Sequence, residues 1–121
     1  MTEVVIKRIY EPYEKSDGFR ILVDRLWPRG LKKEDAKADI WLKEIAPSAA
    51  LRKWFNHDAE KWNEFRKRYK EELKQTAALD ELKDLVKKHA TVTLLYAAHD
   101  MQHNNAAALR IFLTARKTKN K

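Results

Sequence analysis

The chain has 121 residues, of which 44% are hydrophobic, and this is enough to form the core of one compact domain. It contains no cysteine, so disulfides and thiolate metal sites are excluded, and we expect a cytoplasmic protein without a secretory signal or membrane span. Lys and Arg outnumber Asp and Glu by 26 to 18, and the resulting net charge of +8 attracts polyanions without selecting among them.

Four segments predict strands. Residues 4–10 and 19–26 are short aliphatic or β-branched runs, and the residues between them include Pro12, Asp17 and Gly18, which favour a turn. The apolar residues of 38–48 fit neither the two-residue period of a strand nor the 3.6-residue period of a helix. We interpret this segment as a short strand that ends before Pro47. Residues 91–98 are apolar almost without alternation, which predicts a strand in the middle of a sheet.

Helical spacing fills most of the remaining chain. Ser48 and Asp58 are suited to cap two helices, whose apolar stripes are Leu51, Trp54 and Phe55 in the first and Trp62, Phe65, Tyr69 and Leu73 in the second. A third helix is predicted over about 79–88. Asn104 or Asn105 caps the last one, which is buried through Ala108, Leu109, Phe112 and Leu113.

The order of these elements predicts a small three-layer α/β domain. A short, mostly parallel sheet of three to four strands is flanked by helices, because a long helical segment that feeds a buried strand is typical of a parallel crossover. We expect a single domain over 1–115 and a basic flexible tail over 116–121. Two glycines are too few for a glycine-rich phosphate loop, which excludes Rossmann and P-loop nucleotide sites.

Polar residues cluster where the predicted strands end. Asp24, Arg25, Trp27 and Arg29 follow the second strand, Ser48 follows the ambiguous run, and Asp100, His103 and Asn104 follow the buried strand. Parallel strands place their carboxyl ends at one edge, where open α/β sheets bind ligands. The sequence therefore predicts a crevice between the segments "DRLWPRG" and "HDMQHNN".

Residue chemistry suggests roles within this crevice. Arg25 and Arg29 carry planar guanidinium groups suited to phosphate or carboxylate, and Trp27, Ser48 and Asn104 are further candidate ligand-binding residues. Asp24, His103 and Asp100 are the candidate acid–base, catalytic residues. The alternatives stay open: Asp24 pairs with an arginine, Trp27 closes the core, and His103 merely caps a helix.

No metal or cofactor is predicted. His99 and His103 lie four residues apart, but His99 belongs to the strand exit, so the helical geometry that makes this spacing useful to a metal is missing. The two serines, Ser16 and Ser48, do not lie in a nucleophile elbow.

Four motifs together identify a family resemblance. The segments "VDRLWPRG", "WLKEIAPS", "LRKWFNHDAEKWNEFRKRY" and "LLYAAHDMQHNNAAAL" resemble, in this order and over nearly the whole chain, the YeaO-like branch of the bacterial domain-of-unknown-function family DUF488. The resemblance implies a small cytoplasmic α/β protein, and it carries no established activity. The motif positions in this chain are Asp24, Arg25, Trp27, Pro28, Arg29, Pro47, Ser48, Trp54, His57, Asp58, Trp62, Tyr69, Asp100, His103 and Asn104.

Three functions follow as hypotheses. The first is a site for a small anionic, phosphorylated or nucleotide-like ligand, with a hydrolase or transferase as possible enzymes. The second is a nucleic-acid-binding or regulatory protein that acts through its basic surface, including Arg66, Lys67, Arg68 and Lys70. The third is an interaction protein that docks a partner on an aromatic helix face. The sequence leaves open whether catalysis occurs, which oligomer forms and whether a metal binds near His99 and His103.

Overall fold

A computed structural model describes residues 2–115, and within these the chain forms four strands and five helices. The strands are β1 (Glu3–Arg8), β2 (Phe19–Leu22), β3 (Ile40–Trp41) and β4 (Thr91–Tyr96). The helices are α1 (Lys33–Ala36), α2 (Ala49–Phe55), α3 (Trp62–Leu73), α4 (Ala78–Lys88) and α5 (Asn105–Thr114). The predicted basic tail, 116–121, lies outside the described residues.

The four strands form one parallel sheet in the order β1-β4-β2-β3. The central strand β4 pairs with β1 through Val92 opposite Val4, and with β2 through Leu94 opposite Ile21. This confirms the predicted α/β class, and it also confirms that the apolar run near residue 91 lies in mid-sheet. A strand with neighbours on both sides and covered faces has no surface for water, so its sequence is apolar almost without alternation.

Helices cover the two faces of the sheet unequally. Helices α2 to α5 pack on the face that includes Val4, Ile21 and Leu94. The opposite face, which includes Leu22 and Leu95, is covered by the short connection from β2 to β3, including the single-turn α1. The outer layers differ in thickness because 17 residues link β2 to β3, whereas three helices lie between β3 and β4.

Several element boundaries differ from the sequence prediction. β2 ends at Leu22 rather than at residue 26, although the N–H of Val23 still donates to the carbonyl oxygen of Leu95. The polar residues from position 24 onward therefore lie beyond the sheet rather than within β2. The sequence pattern did not indicate α1, because a single helical turn is too short to show a period.

The predicted helix caps are largely confirmed. The Ser48 hydroxyl accepts the N–H of Leu51, and the Asn104 side chain accepts the N–H of Ala107. The Asp58 carboxylate caps a 3₁₀ turn, Ala59–Lys61, which continues directly into α3. No helix within residues 2–115 is long and apolar enough to span a membrane.

Candidate functional site

A cavity of about 390 Å³ opens at the carboxyl edge of the sheet. Segments that follow β1, β2 and β4 line it, together with residues of α2 and α3. Of the eight candidate catalytic and ligand-binding residues, the structure places six in this lining: Asp24, Arg25, Trp27, Arg29, His103 and Asn104. These residues come from segments more than 70 positions apart, and the parallel sheet brings them together.

Asp24 marks the point where the chain leaves β2. Its carboxylate accepts the backbone N–H of Ala97 at 2.9 Å, which ties the exits of β2 and β4 to each other. Burial raises the pKa of the Asp24 carboxyl, while the N–H of Ala97, the Asn105 side chain and the Arg52 charge partly oppose this rise. Asp24 therefore both holds the two strand exits together and places a half-buried carboxyl in the cavity wall.

Part of the Arg25 guanidinium is bonded within the protein. Its Nη1 lies 3.2 Å from Oε1 of Glu44, and its Nη2 donates to the carbonyl oxygen of Ala46 at 3.1 Å. Its Nε is buried and has no hydrogen-bond partner among residues 2–115. The predicted alternative, a pair between Asp24 and an adjacent arginine, is not what the structure shows, since Arg25 pairs with Glu44 instead.

Two other arginines face the same cavity, Arg29 from the loop after β2 and Arg52 from α2. Within the described part of the chain, neither guanidinium has a hydrogen-bond or ion-pair partner. The cavity lining thus carries three arginines against the one carboxyl of Asp24. An excess of cations around a recess favours anions.

His103 lies at the cavity with its ring oriented by Asp100. The Nδ1 of His103 is 3.0 Å from a carboxylate oxygen of Asp100, and the ring packs edge-on against Trp62 at a centroid distance of 5.2 Å. The N–H of Gln102, followed by the His103 side chain, lowers the pKa of the Asp100 carboxyl. Asp100 is outside the cavity lining, so it acts on a ligand only through His103.

Besides Arg25, three more of the predicted ligand-binding residues have structural contacts within the protein. Ser48 is absent from the cavity lining; it lies on a more open groove beside β3, and its hydroxyl donates to Glu72 at 2.6 Å. Asn104 is only 4% exposed, and both ends of its amide are bonded within the protein. Trp27 donates its Nε1 hydrogen to the carbonyl oxygen of Leu31 and packs with Trp41, so it closes the second core cluster as well as lining the cavity.

The sequence predicts no ligand role for two basic side chains of the lining, Arg52 and His57. Arg52 lies on α2 between the apolar positions 51 and 54, where a cation looks like ordinary helix surface. His57 looks like part of a loop between helices. The family motif "LRKWFNHD" contains both, and it was the one available signal, although it assigned neither a role.

A metal site is not formed by the described side chains. Within residues 2–115, no three His, Asp or Glu side chains lie together in a way that could hold a metal ion. His99 is exposed and lies outside the cavity lining.

The fold and this site define a small parallel α/β protein with a cationic recess at the carboxyl edge of its sheet. A family model described as "Inactive DUF488-N3 subclade" matches residues 3–121. The chain therefore belongs to this DUF488 family, as its four motifs predicted.

Similar proteins span nearly the same length. The chain is 48% identical over 108 residues to the uncharacterized protein YeaO of Escherichia coli, covering 88% of this chain and 93% of that one. It is 43% identical over 115 residues to the uncharacterized protein Rv3073c of Mycobacterium tuberculosis, covering 95% and 97%. No solved structure matches the chain.

Proposed function

We propose that this protein binds a small phosphate-bearing, nucleotide-like anion in the cavity at the carboxyl edge. The observation that carries the proposal is the pair Arg29 and Arg52. These two side chains come from different elements, face one recess, and have no acceptor among residues 2–115. Guanidinium groups offer paired N–H donors that match the oxygens of a phosphate.

The size and walls of the cavity support a ligand larger than phosphate alone. Its volume of about 390 Å³ falls within the range of roughly 300–1,000 Å³ that is usual for small-molecule sites. Three aromatic residues line it: Trp27 and the buried Phe55 and Phe65. Aromatic walls offer a surface on which a base or another planar group can stack.

Binding without turnover fits the site better than hydrolysis or group transfer. Asp24 is held by the N–H of Ala97, and no serine or cysteine lines the cavity that could act as a nucleophile. The description of the matched family as inactive also supports a binding role. His103, oriented by Asp100, then serves as a hydrogen-bond donor or acceptor to the ligand rather than as an acid–base catalyst.

Replacing Arg29 and Arg52 together with alanine is expected to weaken ligand binding at least about tenfold. Hydrogen bonds to charged groups contribute about 1.5–3 kcal/mol each, and this double variant removes two such donors. Isothermal titration calorimetry with inorganic phosphate, ribose 5-phosphate and adenosine 5′-monophosphate measures the change. Adenosine, which lacks the phosphate, tests whether the anion is required.

Arg110 provides the charge control. It is exposed on α5 and lies outside the cavity lining, so Arg110→Ala removes one positive charge without touching the site. We expect its affinity for the same ligands to stay within about twofold of wild type. If the wild-type protein binds none of the three phosphates, or if Arg29→Ala/Arg52→Ala binds them as well as Arg110→Ala does, the proposal is wrong.

Nucleic-acid binding is the second candidate, because the net charge of +8 attracts any polyanion. On α3, however, Arg68 pairs with Glu64 at 3.1 Å and lies over Trp54, while Arg66 bonds Asn63. If the basic surface binds nucleic acid, affinity for a short RNA or DNA duplex falls steeply between about 50 and 200 mM salt. It also falls when residues 117–121 are deleted. Fluorescence anisotropy at several salt concentrations measures the salt dependence and the effect of the deletion. An affinity that does not change with salt concentration would exclude this candidate.

A further inference from the structure

Two consecutive residues after α2 have a left-handed backbone. The φ angles are +46° at Asn56 and +55° at His57. Side chains rarely adopt this conformation, because the Cβ atom approaches the following carbonyl oxygen; Asn, Asp and His do so more often than other residues, but still less readily than Gly. The N–H of Asp58 donates to the carbonyl oxygen of Phe55 at 2.9 Å, so positions 55–58 have the pattern of a type I′ turn.

The turn itself accounts for Asn56 but not for His57. Asn56 ends α2, and its N–H donates to the carbonyl oxygen of Arg52 at 2.9 Å. Asparagine is common at left-handed helix ends and at the first central position of type I′ turns. The second central position strongly favours glycine. At that position the chain has a histidine, which is more strained there than the residue the turn prefers.

The position of His57 at the cavity supplies a reason for this choice. His57 lines the cavity together with Arg52, Arg29 and His103, whereas Asn56 is absent from the lining. Strained conformations of non-glycine residues occur disproportionately at ligand sites, where the side chain is needed in a position that the backbone disfavours. Glycine would serve the turn, but it would remove the imidazole from the cavity.

We propose that His57 is a ligand-contacting residue whose imidazole donates a hydrogen bond to the phosphate of the bound anion. This inference rests on the proposed function, because it requires a phosphate-bearing ligand in the same cavity. A binding role accounts for a histidine at this position, which neither the helix end nor the turn explains. Arg52, on α2, and His57, five residues later in the turn after this helix, line the same cavity.

The variant His57→Gly separates a binding role from a structural one. Glycine relieves the left-handed strain, so we expect a melting temperature equal to or above that of the wild type. The same variant removes a donor to the phosphate, so its affinity for adenosine 5′-monophosphate and inorganic phosphate falls about tenfold. Thermal unfolding without ligand and isothermal titration calorimetry measure the two effects on the same protein.

Asn56→Gly is the matched control. It introduces the same residue into the same turn, one position outside the cavity lining, so we expect an unchanged affinity and a melting temperature close to that of the wild type. If His57→Gly binds both phosphates as tightly as Asn56→Gly does, while Arg29→Ala/Arg52→Ala binds them weakly, the inference about His57 fails and the proposed function stands. If His57→Gly unfolds at a clearly lower temperature with unchanged affinity, the histidine is structural. A wild-type protein that binds neither phosphate overturns both.

Discussion

Replacing Asp17 with alanine is expected to lower the free energy of unfolding by about 3–5 kcal/mol. The reason is Arg20 on β2, which is 1% exposed and forms an ion pair with the Asp17 carboxylate. Lys7 on β1 donates to both carboxylate oxygens at 3.1 Å. Without Asp17, a buried guanidinium loses its counterion, and breaking a buried pair in this way is costly because the remaining charge stays in the protein interior.

Arg20 cannot simply turn toward water, because its other hydrogen bonds hold it in place. Its Nη2 donates to the carbonyl oxygen of Ala36 at 2.8 Å, and its Nε donates to that of Lys37 at 3.0 Å. These two carbonyls lie at the end of α1, on the thinly covered face of the sheet. The network therefore fixes the connection from β2 to β3, and we expect the loss of Asp17 to loosen it.

The Asp17 contribution should depend on pH. Burial alone would raise the pKa of this carboxyl, but the N–H of Glu14 and the cations of Lys7 and Arg20 outweigh it, so the pKa lies below its ordinary value. A lowered pKa in the folded state gives stability that is present above the unfolded-state pKa of about 3.9 and is lost as the pH falls through the folded-state value. The stability difference between the wild type and Asp17→Ala is therefore constant near neutral pH and shrinks below about pH 4.

Glu14→Gln is the control for the Asp17 prediction. Glu14 pairs with the same Lys7 at 3.2 Å, but its side chain is 68% exposed. Exposed ion pairs contribute about 0–1 kcal/mol, so this variant should unfold almost as the wild type does. Urea denaturation between pH 3 and pH 7 measures all three proteins. Equal effects of the two substitutions at neutral pH would show that burial of the Asp17 pair contributes little.

Replacing Gly18 with alanine is expected to cost roughly 2–6 kcal/mol of unfolding free energy, from backbone strain and overpacking together. Gly18 has φ +68° and ψ −136°, a combination that L side chains rarely adopt. A Cβ atom at this position would lie 2.3 Å from the carbonyl oxygen of Thr91, at the start of the central strand. That oxygen is backbone and cannot move aside without displacing β4.

Gly30→Ala separates these two causes. Gly30 also has a positive φ, +75°, but a Cβ atom there would meet no atom within 4 Å. We therefore expect Gly30→Ala to lower the free energy of unfolding only by the cost of a left-handed backbone, about 1–2 kcal/mol. Urea denaturation of both variants gives the comparison, and a Gly18→Ala protein as stable as Gly30→Ala would show that β4 accommodates the extra atom.

The sequence predicted the elements of the fold well where a pattern was long. Two elements illustrate this: the apolar run of β4, and the stripe of Phe65, Tyr69 and Leu73 on α3. In each, several residues at regular spacing are buried, so the spacing predicts the type of element. Boundaries were less well predicted. The sequence pattern extends β2 four residues too far, because Val23 continues its hydrophobic run after the strand has ended.

Local chemistry also predicted which residues would interact with the backbone. Ser48 and Asn104 cap helices as expected, because a cap needs only its own side chain and N–H groups three residues away. Because they cap helices, the polar atoms of Ser48 and Asn104 are already bonded within the protein and are not free to bind a ligand. The sequence does not distinguish these two roles, since a capping residue and a ligand-binding residue are chemically alike.

By itself, then, the sequence determined the α/β class, the mid-sheet strand and the segments that end at the carboxyl edge, because each depends on periodicity or on neighbours in the chain. Only the tertiary structure decided that Arg25 pairs with Glu44, that Arg52 and His57 face the cavity, and that Asp17 neutralises a buried Arg20. The direction in which a side chain points depends on how helices dock onto the sheet. That docking is set by the packing of the whole core, and no single stretch of sequence records it.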